Sequence, residues 1–266
     1  MKIIQLSDLH LIGNNTKSLY GIDPNFRFKK ALESIEKNHS DAEFIVITGD
    51  LTDNASCKAY ETLKENINNT QIPVYIILGN HDKRDIFSNY FPDFIDNGFC
   101  QYIKKIDDKV HIFLDTLVEG KPYGELCSFR MKWLKNRLDE FSKDYVYLYI
   151  HHHPICSGLW EMDNIANFKS SEDFWNLLKN YNNIKHISFG HLHRIMHSTK
   201  QNISLHSTRS TAFQVAYKPN SKGEYLTNEE SPTYAIIDIL EDGNTRIHHH
   251  EFMNEDRVFL DKIKSS

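Results

Sequence analysis

Residues 3–10 read Ile3-Ile4-Gln5-Leu6-Ser7-Asp8-Leu9-His10, an apolar run that ends in two potential metal ligands. Short runs rich in β-branched residues that stop at a polar turn are typical of buried strands. An aspartate and a histidine placed directly after such a strand lie at its carboxyl end, where open α/β sheets bind their ligands. This stretch therefore predicts an α/β fold with a functional site at the end of its first strand.

Four more clusters repeat this arrangement along the chain. Three follow apolar runs at residues 44–47, 74–78 and 145–150, and the fourth follows the mixed run at 186–189. Each cluster alone is a weak signal, but five in order are hard to assemble by accident. Carboxylate and imidazole groups together bind Mn, Fe and Zn. We expect the clusters to meet and hold two metal ions, and their potential ligands are Asp8, His10, Asp50, Asn80, His152, His191 and His193.

Asp50 stands alone after Gly49 and is the natural bridging ligand. One carboxylate bridges two metal ions about 3.5–4 Å apart in two-metal phosphatases, where the ions polarise a phosphoryl oxygen and acidify a water between them. Positioning and charge stabilisation do most of the work in phosphoryl transfer, so little covalent protein chemistry is needed. The pattern therefore predicts a phosphate-ester hydrolase.

The composition limits the partners. Of the 266 residues 36 are acidic and 31 basic, giving a formal charge of −5, so the chain has no broad basic surface and polymeric nucleic acid is not an expected partner. The four cysteines form no Cys-x-x-Cys pair and are predicted to be reduced thiols. No apolar run approaches the roughly 18 residues of a membrane span, and the amino-terminal run leads directly into a ligand motif. We predict a cytoplasmic protein with no membrane contact.

Strand and helix patterns alternate through the first 190 residues, with helices predicted from Asp23-Pro24 and near residues 56–68, 128–141 and 171–181. Residues 155–170 have no clear period and are predicted to form a loop beside the metals. Strands without intervening helices then predict a second, mainly antiparallel sheet that completes a sandwich. No linker separates these parts, so we predict a single domain over residues 1–266. The late strands are predicted near residues 195–199, 202–207, 211–217, 233–239 and 245–252.

The ordered motifs Asp-x-His, Gly-Asp, Gly-Asn-His-Asp, a later His and Gly-His-x-His resemble the calcineurin-like metallophosphoesterase superfamily over residues 1 to about 217. The resemblance implies a four-layer α/β/β/α sandwich of two mixed sheets flanked by helices, with a dinuclear metal site at the carboxyl ends of strands. It also implies two divalent or trivalent metal ions per chain, with Fe and Mn favoured and Zn as an alternative.

The same resemblance implies a role for each motif residue. Asp8, His10 and His193 hold one metal, Asp50 bridges, and Asn80, His152 and His191 hold the other. His81 contacts the phosphate or protonates the leaving oxygen, and His10, Asn80 and His193 are the further expected substrate contacts.

The run His151-His152-His153-Pro154 requires a choice of ligand. In the superfamily the ligand usually lies two residues before the proline, which selects His152. Strand alternation then places His151 and His153 on the opposite side from His152 unless the chain bends. His153 either lines the substrate cleft or is buried and hydrogen-bonded, and the second interpretation is favoured.

Secondary features resemble a narrower branch, the bacterial class III cyclic-nucleotide phosphodiesterases. They are Tyr123-Gly124-Glu125-Leu126, the segment after the triple histidine with Gly158, Trp160, Asp163 and Asn167, and the stretch Ser210-Thr211-Ala212-Phe213-Gln214. This branch implies hydrolysis of 3′,5′-cyclic AMP, or a similar cyclic nucleotide, to the monophosphate by a metal-bridging hydroxide. Trp160 either stacks on the base or caps the core.

Other activities stay open. The same metal core also serves enzymes that act on glycerophosphodiesters, nucleotides or lipid-linked phosphates. A non-catalytic interaction module on the same fold is opposed by the seven intact ligand positions, and a nuclease is opposed by the acidic balance and the lack of basic and aromatic clusters. The oligomeric state is also open, with a homodimer among the alternatives.

Overall fold

A computed structural model describes residues 1–13, 18–219 and 222–254 of the chain. Two mixed sheets dominate it. The first has five strands in the order β13-β12-β1-β2-β3. Strands β1, β2 and β3 run parallel, and β12 and β13 extend the sheet in antiparallel pairing. The bounds are β1 Lys2–Leu6, β2 Phe44–Thr48, β3 Val74–Ile77, β12 Tyr234–Ile239 and β13 Thr245–His250.

The second sheet has six strands in the order β4-β5-β6-β7-β9-β8. Its centre, β5-β6-β7-β9, is parallel, and both edges are antiparallel. The bounds are β4 Tyr102–Ile106, β5 Lys109–Phe113, β6 Tyr145–Tyr149, β7 Ile184–Phe189, β8 Met196–Lys200 and β9 Ile203–Ser207. A separate two-stranded ribbon pairs β10 Gln214–Val215 with β11 Thr227–Asn228.

Helices cover the outer face of each sheet. They are α1 Pro24–Asn38, α2 Cys57–Asn69, α3 Arg84–Tyr90, α4 Ser128–Glu140, α5 Trp160–Asn164 and α6 Ser171–Leu178, with a 3₁₀ turn at Pro92–Phe94. Helix α1 begins as predicted, because Asp23 accepts a hydrogen bond from the backbone N–H of Phe26 and Pro24 takes the first helical position. No helix among the described residues is long and apolar enough to cross a membrane.

Three apolar layers connect these elements. One lies between the first sheet and α1–α3, another between the second sheet and α4–α6, and the third between the two sheets. The third layer is rich in aromatic rings, with Phe113 stacked between Tyr102 and Tyr149 at centroid distances of 4.6 and 4.7 Å. The implied four-layer α/β/β/α sandwich is therefore confirmed.

The late strands depart from the prediction. They do not form a sheet of their own: β8 and β9 join β7, whereas β12 and β13 join β1. Only Gln214–Val215 of the predicted strand 211–217 is a strand. The physical reason is that the parallel strands of each sheet leave an open edge, and pairing there satisfies backbone groups on both sides.

Histidines in the layer between the sheets give the fold a predicted pH dependence. Burial lowers the pKa of His111 and of His186 to about 3 and that of His206 well below its usual range, and none of these side chains is more than slightly exposed. An unfolded chain binds these protons near pH 6.5, so between about pH 6.5 and the folded values the unfolded state holds more protons. The contribution of these three histidines to stability is therefore complete above about pH 6.5 and falls as the pH falls.

We expect the free energy of unfolding to drop by about 1.4 kcal/mol per pH unit for each such histidine below pH 6.5. Denaturant unfolding followed by circular dichroism between pH 7 and pH 4 measures this slope. His206→Leu removes one buried ring, whose two nitrogens have no partner, and should flatten the slope. His248→Leu on exposed β13 is the matched control. Identical slopes for parent and His206→Leu would contradict the prediction.

Candidate metal centre

Five potential ligands stand on strained backbone at the strand ends. Their φ angles are positive: 52° at Asp8, 46° at His10, 48° at Asp50, 69° at His191 and 50° at His193. This left-handed region is unfavourable for most residues with a Cβ, although aspartate, asparagine and histidine adopt it more often than other side chains. Each turn bends the chain sharply after its strand, so that side chains from several strands point at one space.

The first group of ligands consists of Asp8, His10, Asp50 and His193, all buried. His10 Nε2 lies 3.1 Å from His193 Nε2 and 3.6 Å from Asp50 Oδ2, and His193 Nε2 lies 3.4 Å from Asp8 Oδ1. Nitrogen and oxygen atoms at these separations can share one metal ion. The sequence predicted this set of four, and the structure brings it together.

The second group consists of His151, His152 and His191, again buried. His151 Nε2 lies 3.4 Å from Asp50 Oδ2 and 3.2 Å from Asn80 Oδ1. Asp50 therefore lies between the two groups. The residue against Asp50 and Asn80 is His151, whereas the sequence reasoning selected His152 for that place.

Strand alternation explains the difference. In β6, Tyr147 and Tyr149 face the other sheet, whereas Val146 and Leu148 face the helices. Continuing this alternation turns His151 toward the first sheet, where Asp50 lies, and turns His152 toward the helix side. Both histidines remain in the second group of potential ligands, and the alternation places His151 nearer to Asp50.

Partners of the outer ring nitrogens also separate the two histidines. His151 Nδ1 donates to the carbonyl of Thr48 at 2.7 Å, and His193 Nδ1 donates to that of Phe213 at 2.7 Å. Metal-binding histidines usually make such a bond, because it fixes the tautomer and aims the other nitrogen at the metal. His152 Nδ1 instead pairs with the Thr116 hydroxyl at 2.8 Å.

Two glycines allow His151 and Asp50 to lie close to the neighbouring backbone. A Cβ on Gly49, whose φ is +93°, would lie 2.3 Å from His151 Nδ1. A Cβ on Gly79 would lie 2.2 Å from Asp50 Oδ1. Any side chain at either position would push a potential ligand out of the centre, so the glycines of the Gly-Asp and Gly-Asn motifs are steric requirements.

The charges at the centre favour cation binding. Burial opposes ionisation of Asp50, but His151, His81 and His10 outweigh it and hold the pKa of this carboxyl well below its usual range. Burial likewise lowers the pKa of His151, yet Asp50 overcomes it and raises that pKa to about 9. A metal that binds His151 must therefore displace a proton.

Asp82 supports the loops of the centre, a role that the sequence did not predict for it. It is buried and accepts hydrogen bonds from the N–H groups of Leu51, Thr52 and Gly79 and from the hydroxyl of Tyr60. Burial, and then the charge of Asp50, raises its pKa to about 6. It ties the loop that carries Asp50 to the loop that carries Asn80.

A cleft of about 290 Å³ opens above these groups. Asp50, Asn80, His81, His191 and His193 form its base, whereas His10 is 1% exposed and lies beneath it. His81 Nδ1 donates to the carbonyl of Asp53 at 2.7 Å, which leaves Nε2 available to a ligand. The walls consist of Pro122, Glu161, Met162, Ile165, Ala166, Gly223 and Tyr225.

Residues 155–170 differ from the predicted loop. They contain α5, which borders the cleft through Glu161 and Met162, but Trp160 is not among the lining residues. The Asp163 carboxylate already has partners near its own segment. It accepts hydrogen bonds from Ser157 and Gly158 and pairs with His153 at 3.4 Å. His153 is buried, as the favoured interpretation expected, and its Nε2 contacts the Asp163 carboxylate.

Comparisons with known proteins connect this centre to a family. The model of the calcineurin-like phosphoesterase family matches residues 1–194. A probable cyclic nucleotide phosphodiesterase from Rhodopseudomonas palustris is 31% identical over 97% of this chain and 95% of its own length. The 3′,5′-cyclic adenosine monophosphate phosphodiesterase of Escherichia coli is 25% identical over 93% and 89%.

Two further comparisons bear on activity and fold. A probable glycerophosphodiester phosphodiesterase from Arcobacter nitrofigilis is 28% identical over 87% of this chain and 86% of its own length. A dimetal phosphatase from Danio rerio superposes with a TM-score of 0.72 at 13% identity, covering 95% of this chain and 99% of its own. At that identity the superposition shows a shared fold.

Proposed function

Because the chain belongs to the calcineurin-like phosphoesterase family, we propose that it is a metal-dependent hydrolase of 3′,5′-cyclic nucleotides, with cyclic AMP as the reference substrate. Its relatives in Rhodopseudomonas palustris and Escherichia coli support phosphodiester hydrolysis as the reaction class. The cleft supports a diester over a monoester, and the names of these two relatives support the choice of a cyclic nucleotide.

The charge of the cleft carries this proposal. None of the described residues that line it is a lysine or an arginine, and its walls include Met162, Ile165, Ala166 and Tyr225. Arg209 is not among the lining residues and pairs with Glu230 at 2.8 Å. A phosphomonoester dianion would find no lysine or arginine among these residues, whereas a diester has a single charge and its apolar part fits the walls.

The residues present fit a pair of metal ions. The potential ligand atoms of the first and second groups belong to buried residues and converge from both sheets, and carboxylate and imidazole are donors that Mn, Fe and Zn accept. We assign Asp8, His10 and His193 to one metal, Asp50 to both, and Asn80, His151 and His191 to the other. Bound there, such ions supply Lewis-acid polarisation of the phosphoryl group and lower the pKa of the attacking water.

His81 is the proposed general acid. Attack of water on phosphorus breaks the bond from phosphorus to the 3′ oxygen, and this oxygen takes a proton from His81 Nε2 to give the 5′-monophosphate. The hydrogen bond from Nδ1 to the Asp53 carbonyl fixes the ring at the edge of the cleft. The proton released by the water restores His81 through solvent.

The choice between His151 and His152 is directly testable. We expect His151→Ala to lose one of two metals per chain, because His151 contacts both Asp50 and Asn80. His152→Ala should retain both metals, since the Thr116 hydroxyl and the second-group histidines hold its ring at the side of the centre. Elemental analysis of the purified variants decides between them, and the reverse result would return the ligand role to His152.

A substrate panel tests the function as a whole. The metal-loaded enzyme is assayed with cyclic AMP, cyclic GMP, 2′,3′-cyclic AMP, glycerophosphocholine and p-nitrophenyl phosphate, and kcat/KM is compared. The proposal expects the highest value for a 3′,5′-cyclic nucleotide and the lowest for the monoester. A higher value for glycerophosphocholine would favour the activity named for the Arcobacter relative.

A further inference from the structure

Tyr225 lies on the cleft wall although it is far from every metal-ligand motif in the sequence. It belongs to the connection between β10 and β11, outside residues 1–194 that match the family model. Of the described residues that line the cleft, it is the only tyrosine, tryptophan or phenylalanine. About half of its surface, 49%, is exposed, so its ring is available to a ligand.

Polar contacts hold this segment over the centre. The N–H of Glu224 donates to Glu161 Oε1 on α5 at 3.0 Å, and the N–H of Ala216 donates to the carbonyl of Leu226 at 2.8 Å. Tyr225 therefore lines the same cleft as α5 and the metal ligands.

The surroundings of Tyr225 have the chemistry of a base-binding slot. Met162 and Ile165 supply apolar surface on the same cleft, and Ile165 is 50% exposed. An exposed aromatic ring and an exposed aliphatic side chain lie here beside the polar metal ligands at the bottom of the cleft. Ligand sites typically combine apolar walls with few polar groups in this way. A planar heterocycle is the natural occupant of such a space.

We propose that Tyr225 contacts the substrate and selects diesters that carry a nucleobase, with its ring stacked on the base. This inference rests on the proposed function. It replaces Trp160 as the base-stacking residue, since Trp160 does not line the cleft. Stacking of a base on an aromatic side chain typically strengthens binding affinity by roughly 5-fold to 100-fold.

The test compares two substrates that differ in the base. Cyclic AMP carries adenine, whereas methyl p-nitrophenyl phosphate is a small diester without a nucleobase. For Tyr225→Ala we expect KM for cyclic AMP to rise about 5-fold to 100-fold with kcat nearly unchanged, because stacking holds the ground state and the transition state alike. KM for the small diester should change less than about 2-fold, and Tyr225→Phe should behave like the parent because it keeps the ring.

Controls separate recognition from a general structural effect. Tyr217→Ala is the matched control, since Tyr217 is 59% exposed on the same segment but packs on Arg194 and does not line the cleft. Trp160→Ala should also leave KM unchanged. A second readout is calorimetric binding of adenosine 5′-monophosphate, the expected product, whose Kd should rise in parallel for Tyr225→Ala alone.

The outcomes distinguish two failures. If the parent hydrolyses the small diester but not cyclic AMP, the proposed nucleotide substrate is wrong. If the parent hydrolyses both and Tyr225→Ala has the parental KM for cyclic AMP, the role of Tyr225 is overturned and the proposed function stands. Equal losses on both substrates would also overturn it, because they would make Tyr225 a structural support of the cleft.

Discussion

Asp50→Ala should abolish diester turnover more completely than any other single ligand substitution. Asp50 lies between both groups of potential ligands, 3.6 Å from His10 Nε2 and 3.4 Å from His151 Nε2, so its loss affects two metal ions at once. Substitution of an outer-shell partner typically lowers metal affinity or activity by about 10- to 100-fold, and removal of a shared ligand should exceed this. We expect a fall in kcat of more than about 1000-fold and fewer than two metals per chain.

Asp50→Asn is the matched control, because it keeps the size and shape of the side chain and removes its charge. Its amide oxygen keeps the hydrogen bond that Asp50 Oδ1 accepts from the N–H of His81 at 2.9 Å, whereas the negative charge is lost. If the bridge depends on charge, Asn should lose metal almost as far as Ala does. Two metals per chain and a near-parental rate in Asp50→Ala would show that the two ions do not share this residue.

His81→Ala should separate catalysis from metal binding. His81 lines the cleft and its Nδ1 is bonded to the Asp53 carbonyl, so it reaches a substrate without belonging to either main ligand group. General acid catalysis typically contributes about 10²–10⁴-fold, and we expect a loss of this size with cyclic AMP. The metal content should remain that of the parent.

The leaving group provides the control for His81. Nitrophenolate departs without a proton, so the loss should shrink to about 10-fold or less with a nitrophenyl diester. The third group of potential ligands, His10, Asp53 and His81, makes metal content an essential measurement alongside the rates. Equal losses with both leaving groups would point to phosphate binding alone, and a loss of metal would make His81 a ligand.

The sequence predicted those features that depend on local chemistry. Asp8 and Asp50 were identified because a buried strand that ends in a polar residue can be recognised from a few neighbouring positions in the sequence. Helix α1 was predicted for the same reason, because Asp23 and Pro24 at its start are a local signal of a helix beginning. The mixed sheets and the four layers came from resemblance to a family, because no local pattern specifies which strands pair.

Features set by distant contacts were missed. The pairing of β12 with β1 joins residues more than 200 positions apart, so no short pattern could assign that strand to the first sheet. Trp160 and Tyr225 have similar aromatic character in the sequence, and only the path of the chain places Tyr225 on the cleft. The choice between His151 and His152 stays a prediction, because both belong to the second group of potential ligands.

The left-handed backbone at the five potential ligand residues with positive φ, which lie in three turns, has a consequence for laboratory evolution. Such a conformation costs roughly 1–2 kcal/mol for a residue with a Cβ and little for glycine. At His10 and His193, therefore, the residue that best suits the backbone and the residue that best suits the metal are different. A library selected for heat resistance alone should accumulate glycine or asparagine at such turns and lose its hydrolytic activity, whereas one screened for turnover should keep the histidines and acquire its stabilising substitutions elsewhere.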